Sequence, residues 1–379
     1  MAGSSRARAW LELVRPPNLP TIASNAVLGA WLGTMAQGRV PNLPGASWAS
    51  DASDPRLEVA DLGLFARVVV GICGLYVFGL ILNDVFDLAV DRRERPDRPL
   101  PSGRIRVGSA VLVAVLVWMG SLWLLGGSGS GPAFIDPAVL TLTATLTALI
   151  VAYDLLHTRV SWAVGLPALC RGLAIVLAAA ATMPNAESGP TAAWIPREGL
   201  DLAVVLVPAG VVAVFVFAVS VVARGEVAAV RRACPACGQE LLEDAARCPE
   251  CGRAVSMPAS RIRTASELGR GPWWVVASGV PCLLPALGFG ALLPTLGLGV
   301  SVEEQGLRDA ATVAAFGGWV FVVAKWSGRT PVPRLVGRWL GSLCLIDAVM
   351  LAPLGPLPLA ICVLLYGAGW MLARRFAGS

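Results

Sequence analysis

Charge is what this chain has least of. Only 15% of its 379 residues are charged while 56% are hydrophobic, where ordinary soluble domains carry about 25% charged residues. A water-soluble enzyme is excluded on that ground. Histidine occurs once, as His157, so any mechanism that needs several histidines is excluded as well. Lysine also occurs once, as Lys325, among 30 cationic residues. That arginine bias, with abundant Ala, Gly and Val, reflects a GC-rich coding sequence rather than chemistry. A removable leader is not expected either: the first apolar run follows Arg6, Arg8 and Arg15, but no small-residue cleavage site ends it.

What is present is a series of apolar runs. A helix needs about 20 mostly apolar residues to cross roughly 30 Å of hydrocarbon. Runs of that kind lie near 18–37, 63–82, 107–125, 137–156, 161–182, 200–222, 272–294, 309–326, 338–353 and 356–373. Pro353, Pro356 and Pro358 interrupt the last two, which could form one broken element, so nine or ten spans are expected. The cations sort by side. Alternate loops hold 24 of the 30, the opposite loops hold Arg39, Arg56, Arg67, Arg197 and Arg308, and Arg171 lies inside a span. By the positive-inside rule the rich side is cytoplasmic, which places the N-terminus, 83–106, 223–271 and the C-terminus there, in a cell (inner) membrane.

The most informative segment closes the second span: Asn83-Asp84-Val85-Phe86-Asp87-Leu88-Ala89-Val90-Asp91. Asn83, Asp87 and Asp91 recur every four residues and share a helix face, with Asp84 three residues from Asp87. Carboxylates at this density repel one another unless something positive sits among them. Hard oxygen ligands suit Mg2+, which takes one or two carboxylates and completes its shell with water and substrate phosphate. The chain then runs Arg92-Arg93-Glu94-Arg95-Pro96-Asp97-Arg98-Pro99-Leu100-Pro101-Ser102-Gly103-Arg104. Carboxylates for a metal followed by arginines for an anion are the composition of a diphosphate site.

This stretch closely resembles the first aspartate-rich motif of the UbiA superfamily of intramembrane prenyltransferases, NDxxDxxxD followed by RPLPSG. The resemblance implies an all-α fold: a multi-span transmembrane helical bundle with a central cavity that opens sideways to lipid. It implies transfer of a prenyl group from a prenyl diphosphate to an acceptor, aromatic or lipid, with Mg2+. Asn83, Asp87 and Asp91 fall on its metal-diphosphate positions, with Asp84 as a close neighbour and Arg98 in the arginine-proline step. Of the tyrosine and lysine that the family tends to carry after the fourth span, Tyr153 matches and His157 takes the lysine position. Arg171, about three turns beyond His157, must face the bundle interior or snorkel. Asn25 in the first span stands where the family often has a pocket-lining polar residue; a helix–helix hydrogen bond is the other use for it.

The sequence departs from that pattern at the end of the sixth span. A second aspartate motif is expected there, but the chain reads Ser220-Val221-Val222-Ala223-Arg224-Gly225-Glu226-Val227. Arg224 could neutralise diphosphate charge or simply pair with Glu226. The set Tyr153–His157, Cys170–Leu173 and Ala223–Val227 is similar to a divergent, EboC-like branch of the superfamily.

Of nine cysteines, Cys73, Cys170, Cys282, Cys344 and Cys362 are scattered through apolar spans. The other four form two CPxCG knuckles, Cys234 with Cys237 and Cys248 with Cys251, separated by ten residues. That spacing is a tetrahedral Zn2+ signature, and four thiolates leave no open coordination position, so the metal is expected to be structural. The division this suggests is a membrane bundle over 1–228, a zinc ribbon over 229–265, and a second membrane part over 266–379. The ribbon could dock a protein partner. No aromatic stacking platform accompanies its arginines, so nucleic acid is not expected. A Mg2+-dependent prenyltransferase in the lipid bilayer is the leading expectation. A non-catalytic lipid or precursor binding or transport protein is the alternative.

Overall fold

The structure is a computed structural model that describes residues 2–35, 60–126, 136–157, 159–182, 199–227, 231–234, 236–238, 240–242, 250–253, 314, 317, 332–352 and 356–376. In chain order the helices are α1 (Ala2–Val14), α2 (Leu19–Met35), α3 (Ala60–Phe86), α4 (Leu88–Glu94), α5 (Val107–Gly126), α6 (Pro137–Leu156), α7 (Leu166–Thr182), α8 (Gly199–Val227), α9 (Val332–Gly341), α10 (Leu343–Leu351) and α11 (Pro356–Phe376). Between α8 and α9 lies an antiparallel pair, β1 (Arg231–Ala233) with β2 (Glu240–Leu242), in which Arg232 faces Leu241. Among the described residues six helical segments are long and apolar enough to cross a membrane, from Gly63–Phe86 to Leu357–Arg375.

The first six expected spans correspond to α2, α3, α5, α6, α7 and α8. Two further ones, near 272–294 and 309–326, lie outside the described residues, apart from 314 and 317. The run near 338–353 is not one helix but two. α9 ends at Gly341 and α10 starts after Ser342, whose hydroxyl bonds back to the Trp339 carbonyl at 2.7 Å. Helical bonds still run through this junction, from Ser342 N to Arg338 O at 2.9 Å and from Ile346 N to Ser342 O at 3.1 Å. Other boundaries follow local chemistry. Asp136 caps α6 by accepting from the Ala138 N–H at 2.7 Å, and Pro137 occupies the first helical turn, where no backbone donor is needed.

α7 is the centre of the packing, in contact with α2, α3, α6 and α8. Its Ala174, Ala178, Ala179 and Ala181 let neighbours come close. α2 answers with Gly29 and Gly33, one turn apart: a Cβ at Gly29 would overlap the Ile175 carbonyl, and one at Gly33 the Ala179 carbonyl and the Thr182 hydroxyl. Small residues four apart are the means by which helices pack in lipid, where no hydrophobic force separates them from the solvent. α2 buries Leu28 and Leu32 against α7, α8 and α10, and Ile22, Ala26 and Ala30 against α3 and α7. The outer surface is apolar as well: Leu112, Leu116, Met119 and Trp123 form an exposed stripe along α5, a lipid-facing pattern.

Substituting Gly33→Leu forces α2 off α7 and is expected to cost about 1–3 kcal/mol. Thermal unfolding in detergent reads this as a lowered midpoint. Gly120→Leu, on α5, where an added side chain meets open space, leaves the midpoint close to wild type.

Candidate functional site

The acidic motif sits where α3 passes into α4. Backbone bonds run on through the junction, from Asp87 N to Asn83 O at 2.9 Å and from Asp91 N to Asp87 O at 2.8 Å. The side chains therefore keep helical phase, and they divide between two sets of partners. Asp84 and Asp91, both buried, share Arg98, whose Nη1 lies 2.7 Å from Asp91 Oδ2 and 3.8 Å from Asp84 Oδ1. Asp84 also receives a bond from Arg15 Nη2 at 2.6 Å. Asn83 and Asp87 face α6 instead, where Asn83 Nδ2 donates to Asp154 Oδ1 at 3.1 Å and Asp87 Oδ1 meets His157 Nε2 at 3.3 Å.

Both arginines are fixed by backbone. Arg15 ends α1 in the left-handed conformation, at φ 49° and ψ 64°, directly before Pro16. Among the described residues it alone, apart from glycine, has positive φ, and strained backbone of this kind collects at functional sites. The sequence reading counted Arg15 only as a flanking charge. A visible signal was its arginine-proline step, the same as Arg98-Pro99. Arg98 belongs to a loop that bonds to itself: Ser102 N and Ser102 Oγ both reach the Arg98 carbonyl, at 3.0 and 2.6 Å, and Ile105 N reaches the Pro99 carbonyl at 3.1 Å. Gly103, at φ 74°, supplies the turn. Leu100 and Ile105 plug the loop into a cluster with Ala9, Leu13, Phe78 and Ile81.

On α6, His157 stacks on Tyr153 with ring centroids 5.1 Å apart. Its Nδ1 lies 3.2 Å from the carbonyls of both Tyr153 and Asp154, so that nitrogen carries a hydrogen. Its Nε2 is the nitrogen turned to Asp87. Burial pushes the Asp87 carboxyl above the usual carboxylate range, against the pull of His157, while the neighbouring Asp91 pushes it the same way. Asp154, which the sequence reading passed over, is buried, and its Oδ2 has no partner among the described residues.

Arg171 and Asn25 come together, along the bundle from this cluster. Tyr76, under the Arg171 guanidinium at 5.6 Å, is two turns before Asn83 on α3, about 10 Å along the helix. Arg171 donates to Asn25 Oδ1 at 2.8 Å and to Thr21 Oγ1 at 3.0 Å. Asn25 Nδ2 donates in turn to Asp347 Oδ2 at 2.8 Å, and the Ser24 hydroxyl donates to the same carboxylate. Arg171 thus faces the bundle interior, and both hydrogen-bonding ends of Asn25 are used between helices. Asp347, on α10 and fully buried, was missed because one acid in an apolar run carries no motif. Arg224 and Glu226 fall in the last turns of α8, and their side chains lie outside the described residues.

The metal-ligand chemistry differs between the two candidate centres. Cys234, Cys237 and Cys251 hold their sulfurs within 4.8 Å of one another; among the described residues no other group of three or more potential ligands is gathered so closely. Cys234 Sγ and Cys251 Sγ are 3.7 Å apart. A disulfide would need about 2.05 Å, whereas two thiolates on a tetrahedral ion with bonds of about 2.3 Å stand about 3.8 Å apart. Gly238 and Gly252, after the two knuckles, have φ 73° and 67°, the turns the sequence asks of them. The Cys234 thiol is lowered to about 6, first by the Ala236 backbone N–H. Cys248 lies outside the described residues. Mg2+ leaves much of its shell to water and phosphate oxygens and asks for fewer protein ligands than Zn2+. Asp84, Asp87, Asp91 and Asp154 lie beside the cationic Arg15 and Arg98 and the imidazole of His157.

Residues 40–224 match the UbiA prenyltransferase family. Among curated proteins, the chain is 33% identical over 111 residues to digeranylgeranylglyceryl phosphate synthase of Methanococcus maripaludis strain C5, covering 29% of this chain and 32% of that one. It is 35% identical over 108 residues to the protein of the same name from Methanopyrus kandleri, covering 28% and 31%. The matches thus span about a third of the length of these curated relatives. Among solved structures, the apo form of a UbiA homolog from Aeropyrum pernix K1 aligns over 95% of this chain and 99% of its own, at 16% identity and TM-score 0.47.

The buried polar network carries a stability prediction. Asp347→Leu strands the Ser24 and Asn25 donors and leaves Arg171 without its nearest buried anion, at an expected cost of about 3–5 kcal/mol. Asp347→Asn keeps an acceptor and costs less, about 1–3 kcal/mol. Unfolding of the two variants in detergent checks the order.

Proposed function

The chain carries a UbiA prenyltransferase family domain, and from that premise we propose that it is a Mg2+-dependent integral membrane enzyme that transfers a prenyl group from a prenyl diphosphate to an acceptor. The observation that supports this most directly is the meeting of Asp84 and Asp91 with Arg15 and Arg98, beside Asp87 and His157, at one end of α3. Asn83, Asp84, Asp87 and Asp91 are the residues that would hold Mg2+. When bound, the metal neutralises charge on the diphosphate as it leaves. Arg98 is shared between two carboxylates, so a cation entering there releases donors of its planar fork for a diphosphate oxygen. Arg15 does the same from the other side of Asp84.

In the reaction the allylic C–O bond breaks, its electron pair leaves with the diphosphate, and the acceptor forms the new bond and gives up a proton. Preorganised guanidiniums in a low-dielectric site stabilise the developing charge without reorganisation. Tyr153, His157 and, deeper in the bundle, Arg171 and Asn25 are assigned to the polar lining, and Arg224 and Glu226 of α8 are assigned to diphosphate binding. The apolar helices exclude water from the allylic cation. Likeness to proteins named as digeranylgeranylglyceryl phosphate synthases supports a lipid acceptor. A second reading, a binding or transport protein for the same lipid diphosphate, is favoured by the absence of an aspartate pair in Ser220–Val227.

We assign the four knuckle cysteines to one structural Zn2+ in a ribbon over 229–265 that separates two membrane parts, 1–228 and 266–379, and offers a surface for a protein partner. The 3.7 Å sulfur separation supports it. The arginine distribution supports a cytoplasmic position for the ribbon and for the acidic site in a cell (inner) membrane.

Purified protein given radiolabelled prenyl diphosphates, Mg2+ and a membrane lipid extract should release pyrophosphate, and Asp87→Ala or EDTA should abolish the release. Diphosphate binding without turnover at any chain length would establish the transport reading instead. Metal analysis should find about one zinc per chain. Cys237→Ser should lower that content and leave prenyl diphosphate binding intact; a zinc content unchanged in the variant refutes the ribbon.

A further inference from the structure

Among the described residues, no cation forms an ion pair with the carboxylate of Asp154. It ends α6, is only 5% exposed, and projects toward the α3–α4 junction, where Asn83 Nδ2 fixes its Oδ1 at 3.1 Å. Its Oδ2 is buried and has no hydrogen-bond partner among the described residues. A buried carboxylate oxygen left unpaired is costly, and such groups are rare unless something outside the protein satisfies them. The nearby cations are already committed. Arg15 holds Asp84, Arg98 spans Asp84 and Asp91, and His157 Nε2 is turned to Asp87. The charges whose field reaches Asp154 are those of Asp87 and Asp84, both negative. Among the described residues, the hydrogen bond from Asn83 is the one polar contact of this carboxylate, and a cation bound from solution would satisfy its second oxygen.

We propose that Asp154 is a further carboxylate ligand of the metal–diphosphate site, with Oδ2 binding a divalent cation while Asn83 orients the group through Oδ1. The inference rests on the metal–diphosphate reading above. It also offers a way to meet the charge demand of a diphosphate in a chain whose sixth span ends with Glu226 and no aspartate. One carboxylate from α6 and the motif on α3 would hold the diphosphate from two helices, with water and diphosphate oxygens filling the remaining positions of the hexacoordinate ion. Asn83 then acts as a positioning residue: its amide is what keeps Oδ2, rather than Oδ1, turned to the ion.

The test counts bound Mn2+ by the loss of the free-ion electron paramagnetic resonance signal, with the full chain in detergent and inorganic pyrophosphate as the anion. Asp154→Asn keeps the shape and the acceptor for Asn83 but removes the ligand charge. It should weaken Mn2+ binding at least about tenfold. Asp154→Glu, which keeps a carboxylate, should bind Mn2+ more tightly than the Asn variant. Thermal unfolding of both variants, alike to wild type, ties the loss to the site. Mn2+ affinity unchanged in a folded Asp154→Asn overturns the inference, whatever the turnover. Loss of Mn2+ binding in Asp154→Asn with no prenyl transfer by wild type keeps the ligand and discards the transferase reading. Prenyl transfer by wild type with unaltered Mn2+ binding in the variant does the reverse.

Discussion

Arg98 stands between two buried carboxylates, and much of this end of the molecule is organised to keep it there. Asp84 and Asp91 lie about one helical turn to either side of Asp87, and both carboxylates pair with the Arg98 guanidinium at the edge of the apolar bundle. The loop that carries Arg98 is folded around its own carbonyl and held down by Leu100 and Ile105. α1 and the left-handed turn at Arg15 bring the second guanidinium to Asp84 from a distant part of the chain. Four carboxylates, Asp84, Asp87, Asp91 and Asp154, meet there with Arg15, Arg98 and His157.

The same constraint is met differently deeper in the bundle. Arg171 and Asp347 do not touch; Asn25 stands between them, donating to the acid and accepting from the base. An amide in that position can serve both neighbours only in one orientation, so the relay fixes the register of α2, α7 and α10 together. Gly29 and Gly33 allow α2 to lie close enough to α7 for these bonds to form. Polar groups inside an apolar bundle are costly unless every donor and acceptor is matched. Here Thr21, Ser24, Asn25, Arg171 and Asp347 are each hydrogen-bonded within the network.

The cysteine module follows another logic. Its strands are three residues each, too short to be stable alone. Geometry at the sulfurs, with tight turns at Gly238 and Gly252, is what organises it.

The sequence by itself determined the membrane class, the apolar helices α2, α3 and α5–α8 to within a few residues, the acidic and arginine-rich motif, and the glycine turns after the knuckles. Each of these is written in local spacing or composition: runs of apolar residues, a four-residue repeat of acids, a CPxCG pair. Tertiary structure alone decided which charges meet. Asp84, a neighbour in the motif, proved to pair with two arginines, one of them Arg15 across 69 residues. Asp154 and Asp347 are single acids without a motif, and only the packing of α6 on α3 and of α10 on α2 gives them partners. Electrostatic pairing is a matter of distance in space, and one-dimensional periodicity reports that distance only within a single helix.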